Sequence, residues 1–438
     1  MRDLRNLLWS SIDNDTSRDL DQIEVAEKLP DGSTRVLIGI ADVDVFVPKQ
    51  SAIDQHAARE TTTVYAGVRN FSMLPDELST GKTSLLENQD RLAVVIEFAM
   101  AEDGQLSSDN AYRAIVRNKA QLQYNSVGAW LEGTGPAPAK VAASSDLQSQ
   151  LRLQTEVAQK LKGLRHEHGA LDLQTDEPLA LILNDQIEVV AEQKNLATEL
   201  IEDFMIAANG VVARMLGKVS SLRRIVRQPK RWDRIVSLAA SHGEKLPAQP
   251  DSKALNDFLV KRRTVDPDHF ADVSLAVIKL IGPGEYVLER PGEPAPGHFG
   301  LAVQDYTHST APNRRFADLV TQRIVKAVLE GKSNPYSDAE LAQIASDCTE
   351  KEDAAEKVER DMSKRLAAVA MQHRIGATFD AIVTGVTPHG TFVRELQAHV
   401  EGLLAQGGKG LDVGDRLKVK LIRTDVQHGF IDFARVGA

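Results

Sequence analysis

The chain has 438 residues, of which 42% are hydrophobic and 26% are charged, as expected for an ordinary globular protein of two or three domains. Its single cysteine, Cys348, excludes an intrachain disulfide and zinc-site spacing, which makes a reducing cytoplasm the predicted location. No apolar run approaches the roughly 20 residues that span a bilayer, and the net charge of -10 argues against coating nucleic acid by bulk positive charge.

Four carboxylates lie within nine residues near the N-terminus: Asp13, Asp15, Asp19 and Asp21. Like charges this close repel, so folding them together is unfavourable unless a cation binds. Taken alone, the cluster is compatible with a solvated acidic turn, an EF-hand-like calcium loop or a catalytic divalent-metal site. The calcium loop is disfavoured because Arg18 stands where such a loop needs glycine, and because the downstream flank is typical of a strand.

The next 340 residues predict alternating helices and strands. Residues 35–47 are rich in β-branched side chains and predict a strand on which Asp42 and Asp44 share one face. A further strand is predicted over 91–100 and a loop over 133–145. Helices are predicted over 51–61, 146–162, 197–216 and 338–374, and the third is apolar on most sides and therefore buried.

The pattern changes after Gly376, where four or five short strands alternate with glycine turns over about sixty residues. This pattern predicts a small closed barrel of the oligonucleotide-binding kind. RNA binding by the barrel is predicted to rest on Phe379, Phe392, His389 and lysines such as Lys418 and Lys420. Core packing is the alternative for Phe379, whereas Phe392 follows a glycine turn and has the better claim to an exposed stacking face.

Several segments, in this order along the chain, resemble motifs of the ribonuclease II and ribonuclease R (RNB) family of exoribonucleases. Residues 11–22 are similar to a signature of four aspartates, in which Asp13, Asp19 and Asp21 match the first three and Gln22 stands at the fourth. The C-terminal barrel resembles the family's S1-type RNA-binding domain. The other matching segments are 38–43, 65–75, 169–172, 200–209, 298–301, 306–319 and 358–361.

The resemblance implies an α+β architecture in which an RNB-type catalytic domain, a mixed sheet surrounded by helices, occupies residues 1–375. An S1-type OB-fold barrel then occupies residues 376–438. The family's N-terminal cold-shock barrels have no counterpart in this sequence. We therefore expect either a short family member or a natural protein in which something precedes residue 1.

The implied activity is processive 3′-to-5′ hydrolysis of single-stranded RNA to nucleoside 5′-monophosphates, with Mg²⁺ or Mn²⁺ as cofactor, by a monomeric enzyme. The resemblance assigns the metal to Asp13, Asp19, Asp21 and Gln22, and catalysis to Asp19, Asp21 and Arg314. Asp15, Asp42 or Asp44 could add charge to the site. The residues implied to contact RNA are Tyr65, Leu173, Glu202, Arg315, Glu359 and Phe392.

Alternatives accompany several of these assignments. Gln22 offers a neutral amide where the family has a carboxylate, and Leu173 stands where members commonly place an aromatic side chain. Both departures allow a family member that binds RNA without cutting it. Arg315 could instead form a structural salt bridge, Asp203 competes with Glu202 for the ribose contact, and Glu359 could serve as a helix ion pair.

Overall fold

The computed structural model describes residues 1–174, 178–183, 186–191, 194–397 and 399–437. The α-helices alternate with the strands in the larger part of the chain: α1 (Ala52–Glu60), α2 (Tyr124–Leu131), α3 (Ala139–Ala142), α4 (Ser145–Glu167), α5 (Leu196–Met215), α6 (Trp232–Ser241), α7 (Ser252–Val265), α8 (Phe270–Ile281), α9 (Phe316–Leu329) and α10 (Asp338–Gln372).

The strands are mostly short: β1 (Arg2–Asp3), β2 (Ser10–Asp13), β3 (Gln22–Lys28), β4 (Thr34–Ala41), β5 (Val64–Tyr65), β6 (Asn70–Phe71), β7 (Asp90–Met100), β8 (Leu106–Arg117), β9 (Ala120–Gln123), β10 (Pro178–Leu183), β11 (Gln186–Ala191), β12 (Ser221–Ile225), β13 (Glu285–Glu289), β14 (Thr378–Thr387), β15 (Gly390–Glu395), β16 (Glu401–Gln406), β17 (Arg416–Asp425) and β18 (Phe430–Arg435).

A mixed sheet organises the larger part, with strand order β1-β8-β7-β4-β3-β2-β9. The central pairs are antiparallel, and parallel pairs close both edges, β1 with β8 and β2 with β9. Helices cover the sheet and share its hydrophobic core, in which Trp9, Phe98 and Phe204 are fully buried. The predicted mixed sheet surrounded by helices is confirmed.

Helix α5 is buried along most of its length, as its apolar sequence predicts. It begins at a capping box. The Asn195 side chain accepts hydrogen bonds from the backbone of the first turn, and the Thr198 hydroxyl oxygen accepts one from the backbone N–H of Asn195. The helix packs against α4 and α2 and against the strands of the sheet. The capping box at Asn195 therefore determines where the helix starts, and the apolar sequence determines that the helix is buried in the core.

The strand predicted over 35–47 ends at Ala41, so the prediction that Asp42 and Asp44 share a strand face is wrong. The chain turns instead into a short 3₁₀ helix. Lys326 of α9 lies 2.7 Å from Asp42 Oδ1 and 2.8 Å from Asp44 Oδ2. These carboxylates are therefore held in ion pairs that join α9 to the end of β4, which is a structural role. The predicted loop over 133–145 is also interrupted, by α3.

The C-terminal strands form a closed barrel in the order β14-β15-β16-β18-β17, so the predicted fold class is confirmed. Its core contains Phe379 and Phe433, whose rings meet edge to face at 6.3 Å. Ala368 and Met371 of α10 pack into the same core and attach the barrel to the larger part. Helix α10 ends at Gln372 and β14 begins at Thr378, and we propose the division into 1–375 and 376–438 on that basis.

In the part of the chain that the structure describes, none of the helices has the length and apolar character that a bilayer crossing requires.

Candidate active site

The acidic segment forms the loop between two neighbouring strands. Strand β2 ends at Asp13 and β3 begins at Gln22, so the loop places Asp13, Asp19 and Asp21 at one end of the sheet. Asp13 and Asp19 are half-buried, and Asp21 is buried. Strands flank the loop on both sides, where a calcium loop of the EF-hand type needs helices, so that interpretation is wrong.

Asp21 is a buried carboxylate that has one satisfied oxygen and one unsatisfied oxygen. It is 2% exposed, and its Oδ1 accepts a hydrogen bond from the backbone N–H of Asn313 at 3.0 Å. Its Oδ2 has no hydrogen-bond partner and lies 3.7 Å from Nε of Arg314. Burial raises the pKa of Asp21 to about 8, against the opposing field of Arg314. A cation bound at Oδ2 would relieve this cost, so the residue fits a divalent-metal site.

Asp19 links the acidic loop to an exposed aromatic side chain. Burial raises the pKa of Asp19, and the Tyr65 hydroxyl points at its Oδ2 from 3.5 Å. Tyr65 is 38% exposed, and its backbone N–H donates to Oε1 of Glu359 on α10 at 2.8 Å. The structure therefore brings Asp19, Tyr65 and Glu359 together, with a tyrosine ring open to solvent beside the carboxylates.

Arg314 and Arg315 are neighbours in sequence but have different surroundings. The Arg314 side chain is 45% exposed beside Asp21, while its backbone carbonyl accepts from the N–H of Thr63 at 2.9 Å. Arg315 donates to both oxygens of Asp318, at 2.9 and 2.8 Å. A bidentate pair of this kind fixes the guanidinium. The geometry therefore favours the structural salt bridge for Arg315 and leaves Arg314 available to a substrate.

Asn313 and Asp318 are site residues that the sequence reasoning missed. Asn313 supplies the N–H that holds Asp21, and its own Oδ1 accepts from Thr83 Oγ1 at 2.6 Å. Asp318 accepts from the backbone N–H of Ala311 at 2.8 Å as well as from Arg315. Arg315 and Asp318 stand three residues apart at the start of a helix, and this spacing is the sequence pattern that indicates their ion pair.

Two further predicted RNA contacts, Glu202 and Leu173, have partners outside the acidic loop. Glu202 is exposed on α5 and pairs with Lys194 at 2.8 Å. Asp203, the alternative candidate for the ribose contact, is buried against Arg165. Burial raises the pKa of Asp203 to about 6. Asp203 is therefore occupied in an ion pair. Leu173 is partly buried against the hydrophobic cluster of α6, α7 and α8.

On the barrel, Phe392 is half-buried on β15. Phe430 is 61% exposed and stacks on His428, with the ring centres 5.6 Å apart and nearly parallel. Phe430 is not among the residues predicted from the sequence, although strand alternation indicates its exposure, since Ile431 and Phe433 are buried in the core.

Among the described residues, no group of three histidine, cysteine, aspartate or glutamate side chains is close enough to enclose a metal ion. This does not conflict with a Mg²⁺ site, because Mg²⁺ is usually bound through one or two carboxylates with waters and substrate phosphates. The residues that could hold such an ion are Asp13, Asp19 and Asp21.

Two family models match this chain. The RNB domain covers residues 1–331, and the RNase II-type exonuclease C-terminal S1 domain covers residues 377–436. The chain belongs to the RNB family. Its curated relatives include ribonuclease R of Thermotoga maritima, 29% identical over 99% of this chain and 65% of the relative. Ribonuclease R of Escherichia coli is 28% identical over all of this chain and 57% of the relative. The chain thus spans under two thirds of the length of either relative.

Solved structures share the fold of this RNB chain. Mycoplasma genitalium RNase R in complex with ribose-methylated single-stranded RNA has a TM-score of 0.87 at 22% identity, covering 99% of this chain and 72% of that chain. Yeast Ssd1, described as a pseudonuclease, has a TM-score of 0.74 at 18% identity, covering 98% of this chain and 52% of that chain. A protein named as a ribonuclease and one described as a pseudonuclease therefore share this fold, so the fold alone does not decide whether this chain cleaves RNA.

Proposed function

We propose that this RNB-family protein is a metal-dependent exoribonuclease that hydrolyses single-stranded RNA from its 3′ end to nucleoside 5′-monophosphates. The observation that carries the proposal is the buried Asp21 carboxylate, with an unsatisfied oxygen facing the exposed guanidinium of Arg314. An oxygen that attracts a cation, next to an arginine that can bind phosphate, is an arrangement suited to metal-assisted phosphodiester cleavage. Relatives that align with nearly the whole chain are named ribonuclease R, and this supports the same activity.

Asp13, Asp19 and Asp21 would hold the metal, as Mg²⁺ or Mn²⁺. When bound, a divalent cation supplies charge that polarises the phosphate and lowers the pKa of the attacking water. Asp21 is the anchor, because the Asn313 N–H fixes one of its oxygens and leaves the other directed to Arg314. Gln22 adds a neutral oxygen at most, since it is an amide at the start of β3.

The remaining side chains bind and orient the RNA. Arg314 can grip a phosphate in a bidentate manner and stabilise charge that develops on its free oxygens. The exposed ring of Tyr65 stacks on a base near the 3′ end, and Glu359 fixes the backbone that carries that ring. Glu202, exposed on α5, remains our proposal for the ribose contact that reads the 2′-hydroxyl.

A second candidate function is RNA binding without cleavage, and Gln22 is the observation that favours it. An amide at the family's fourth acidic position lowers the negative charge available to a metal ion. In that case the protein would protect RNA ends and release no mononucleotide.

The experiment that separates the two functions uses one single-stranded RNA labelled either at its 5′ end or at its 3′ end. With Mg²⁺, the proposed activity releases the 3′ label at once as a nucleoside 5′-monophosphate and shortens the 5′-labelled RNA to a small oligomer. Chelation with EDTA stops both reactions. Binding of the RNA with no labelled mononucleotide in Mg²⁺ or Mn²⁺ would favour the binding function.

A further inference from the structure

Ser84 is a fully buried serine whose hydroxyl contacts the acidic loop. It follows the short helix Glu77–Lys82, and its exposed fraction is 0%. Its Oγ donates a hydrogen bond to the main-chain oxygen of Arg18 at 2.6 Å and accepts one from the backbone N–H of Leu20 at 3.0 Å. The hydroxyl therefore uses its one proton and a lone pair on the two residues that flank Asp19.

These two hydrogen bonds restrict the conformation of Asp19. The Arg18 carbonyl belongs to the peptide group that precedes Asp19, and the Leu20 N–H belongs to the peptide group that follows it. Each peptide group is planar, so only the two backbone rotations of Asp19 connect them. Because one oxygen atom holds both planes, both rotations are restricted, and so is the direction in which the Asp19 side chain leaves the backbone.

The backbone of Ser84 is itself held in place. Nε of Arg91 on β7 donates to the Ser84 carbonyl oxygen at 2.8 Å, and Nη2 of Arg91 donates to the Gly81 carbonyl oxygen at 3.0 Å. The next residue adds a contact to the acidic loop, since the Leu85 N–H donates to the Leu20 carbonyl oxygen at 3.0 Å. Ser84 is thus attached to the central sheet and can serve as a fixed support for the loop.

The preceding residue, Thr83, contacts the support of the second carboxylate. Thr83 Oγ1 lies 2.6 Å from Oδ1 of Asn313, the residue whose backbone N–H holds Asp21. Thr83 and Asn313 are both buried. Two adjacent side chains therefore contact the groups that hold Asp19 and Asp21, which ties the relative position of these carboxylates to one short segment.

We propose that Ser84 is a positioning residue of the metal site, which holds the Asp19 carboxylate where it binds a divalent cation together with Asp21. Metal ligands have to be held within about 0.5 Å of the productive geometry. Groups that orient them contribute about 10- to 100-fold to metal affinity or activity. The inference rests on the proposed function, in which Asp19 and Asp21 are metal ligands.

The test compares wild type, Ser84→Ala and Ser79→Ala as full chains without RNA. Ser79 is a matched control, because it is a buried serine of the preceding helix whose Oγ donates to the Pro75 carbonyl oxygen at 3.4 Å, outside the acidic loop. Each substitution removes one buried hydroxyl. Electron paramagnetic resonance of free Mn²⁺ gives the Mn²⁺ affinity, and mass spectrometry in EDTA gives the amide hydrogen exchange of residues 18–21.

Ser84→Ala is expected to weaken Mn²⁺ binding by at least about tenfold. It should also accelerate amide exchange in residues 18–21 without metal, because the Leu20 N–H loses its acceptor. Ser79→Ala should match wild type in both measurements. Cleavage by Ser84→Ala should need at least about tenfold more Mg²⁺ for its half-maximal rate, with unchanged RNA binding in EDTA. Equal Mn²⁺ affinity of wild type and Ser84→Ala overturns the inference.

Ser84→Cys provides a second probe, because a thiol is only a weak donor and acceptor. Should Ser84→Ala fail to fold, weaker Mn²⁺ binding by Ser84→Cys than by Ser79→Cys supports the positioning role, and equal binding overturns it. RNA cleavage by wild type is measured separately. Cleavage by wild type together with undiminished Mn²⁺ binding by Ser84→Ala refutes this inference alone. Weakened Mn²⁺ binding by Ser84→Ala without any cleavage by wild type refutes the proposed function and leaves the positioning role standing.

Discussion

Nε of Arg314 lies 3.7 Å from Oδ2 of Asp21, an oxygen that accepts no hydrogen bond although its carboxylate is almost completely buried. The separation is too long for a hydrogen bond. Arg314 therefore has donors available to a phosphate, and Asp21 has an oxygen available to a cation. This relationship places a candidate metal ligand and a candidate phosphate ligand side by side.

The adjacent arginines provide a matched pair of substitutions. Arg314→Lys should lower RNA cleavage by at least about 100-fold with an unchanged melting temperature, because lysine cannot bind phosphate in a bidentate manner. Arg315→Lys should cost about 2 kcal/mol in the free energy of unfolding, since it breaks the bidentate pair with buried Asp318. Cleavage assays and thermal melts measure both, and a reversal of the two effects would contradict the assignment.

Tyr65 is predicted to act through its ring. Tyr65→Phe should bind RNA nearly as wild type does, because the hydroxyl contact to Asp19 is long at 3.5 Å. Tyr65→Ala should weaken binding by about 1–3 kcal/mol, which is the contribution of one stacked base. Fluorescence anisotropy with labelled single-stranded RNA in EDTA separates the two variants. Equal losses in both would show that the hydroxyl, and not the ring, carries the interaction.

Two phenylalanines of the barrel should respond in opposite ways. Phe430→Ala should weaken RNA binding and leave the melting temperature unchanged, because the ring is exposed and stacked on His428. Phe379→Ala should lower the free energy of unfolding by about 3–5 kcal/mol, because it leaves a cavity in the barrel core. Unchanged RNA binding by Phe430→Ala would exclude this face as a binding surface.

His298 predicts an acid-sensitive stability. Burial lowers the pKa of His298 from 6.5 to about 4 in the folded state. Between these pH values the histidine is therefore protonated in the unfolded chain and neutral in the folded protein. The free energy of unfolding is therefore unaffected by this group above pH 6.5. It decreases as the pH falls toward about 4, by at most about 3 kcal/mol.

His298→Asn tests this point. The Asn side chain can replace the histidine as acceptor for the N–H of Leu301, a contact of 3.1 Å in the wild type, without gaining charge in acid. Urea unfolding at pH 7 and at pH 4.5 should show a smaller loss of stability for the variant than for wild type. An identical loss in both proteins would assign the acid sensitivity to other groups.

The sequence predicted those features that depend on local pattern. The acidic loop, buried α5 and the C-terminal barrel follow from charge spacing, apolar periodicity and glycine turns. Asp42 and Asp44 were misplaced because Lys326, far away in sequence, holds both carboxylates at the end of β4 and ends the strand there. A pairing at that sequence distance leaves no trace in the local pattern.

The burial of individual carboxylates is a second feature that the sequence alone does not predict. Glu24 stands in an alternating strand, Gln22 to Lys28, where a carboxylate would ordinarily face solvent. Contacts between α4 and β3, including Gln154 on the Glu24 carbonyl, cover that region of the strand instead. Tertiary packing of this kind decides which carboxylates are exposed, and the spacing of the residues along the chain does not report it.

Cleavage of 5′-labelled single-stranded RNA by Asp21→Asn, beside Asp15→Asn as control, tests the central claim most directly. Asp15 lies in the same loop and is exposed, so its change removes an equal charge outside the site. We predict that Asp21→Asn binds the RNA and does not shorten it in Mg²⁺ or Mn²⁺, while Asp15→Asn degrades it as wild type does. Cleavage by Asp21→Asn at the wild-type rate would contradict the account.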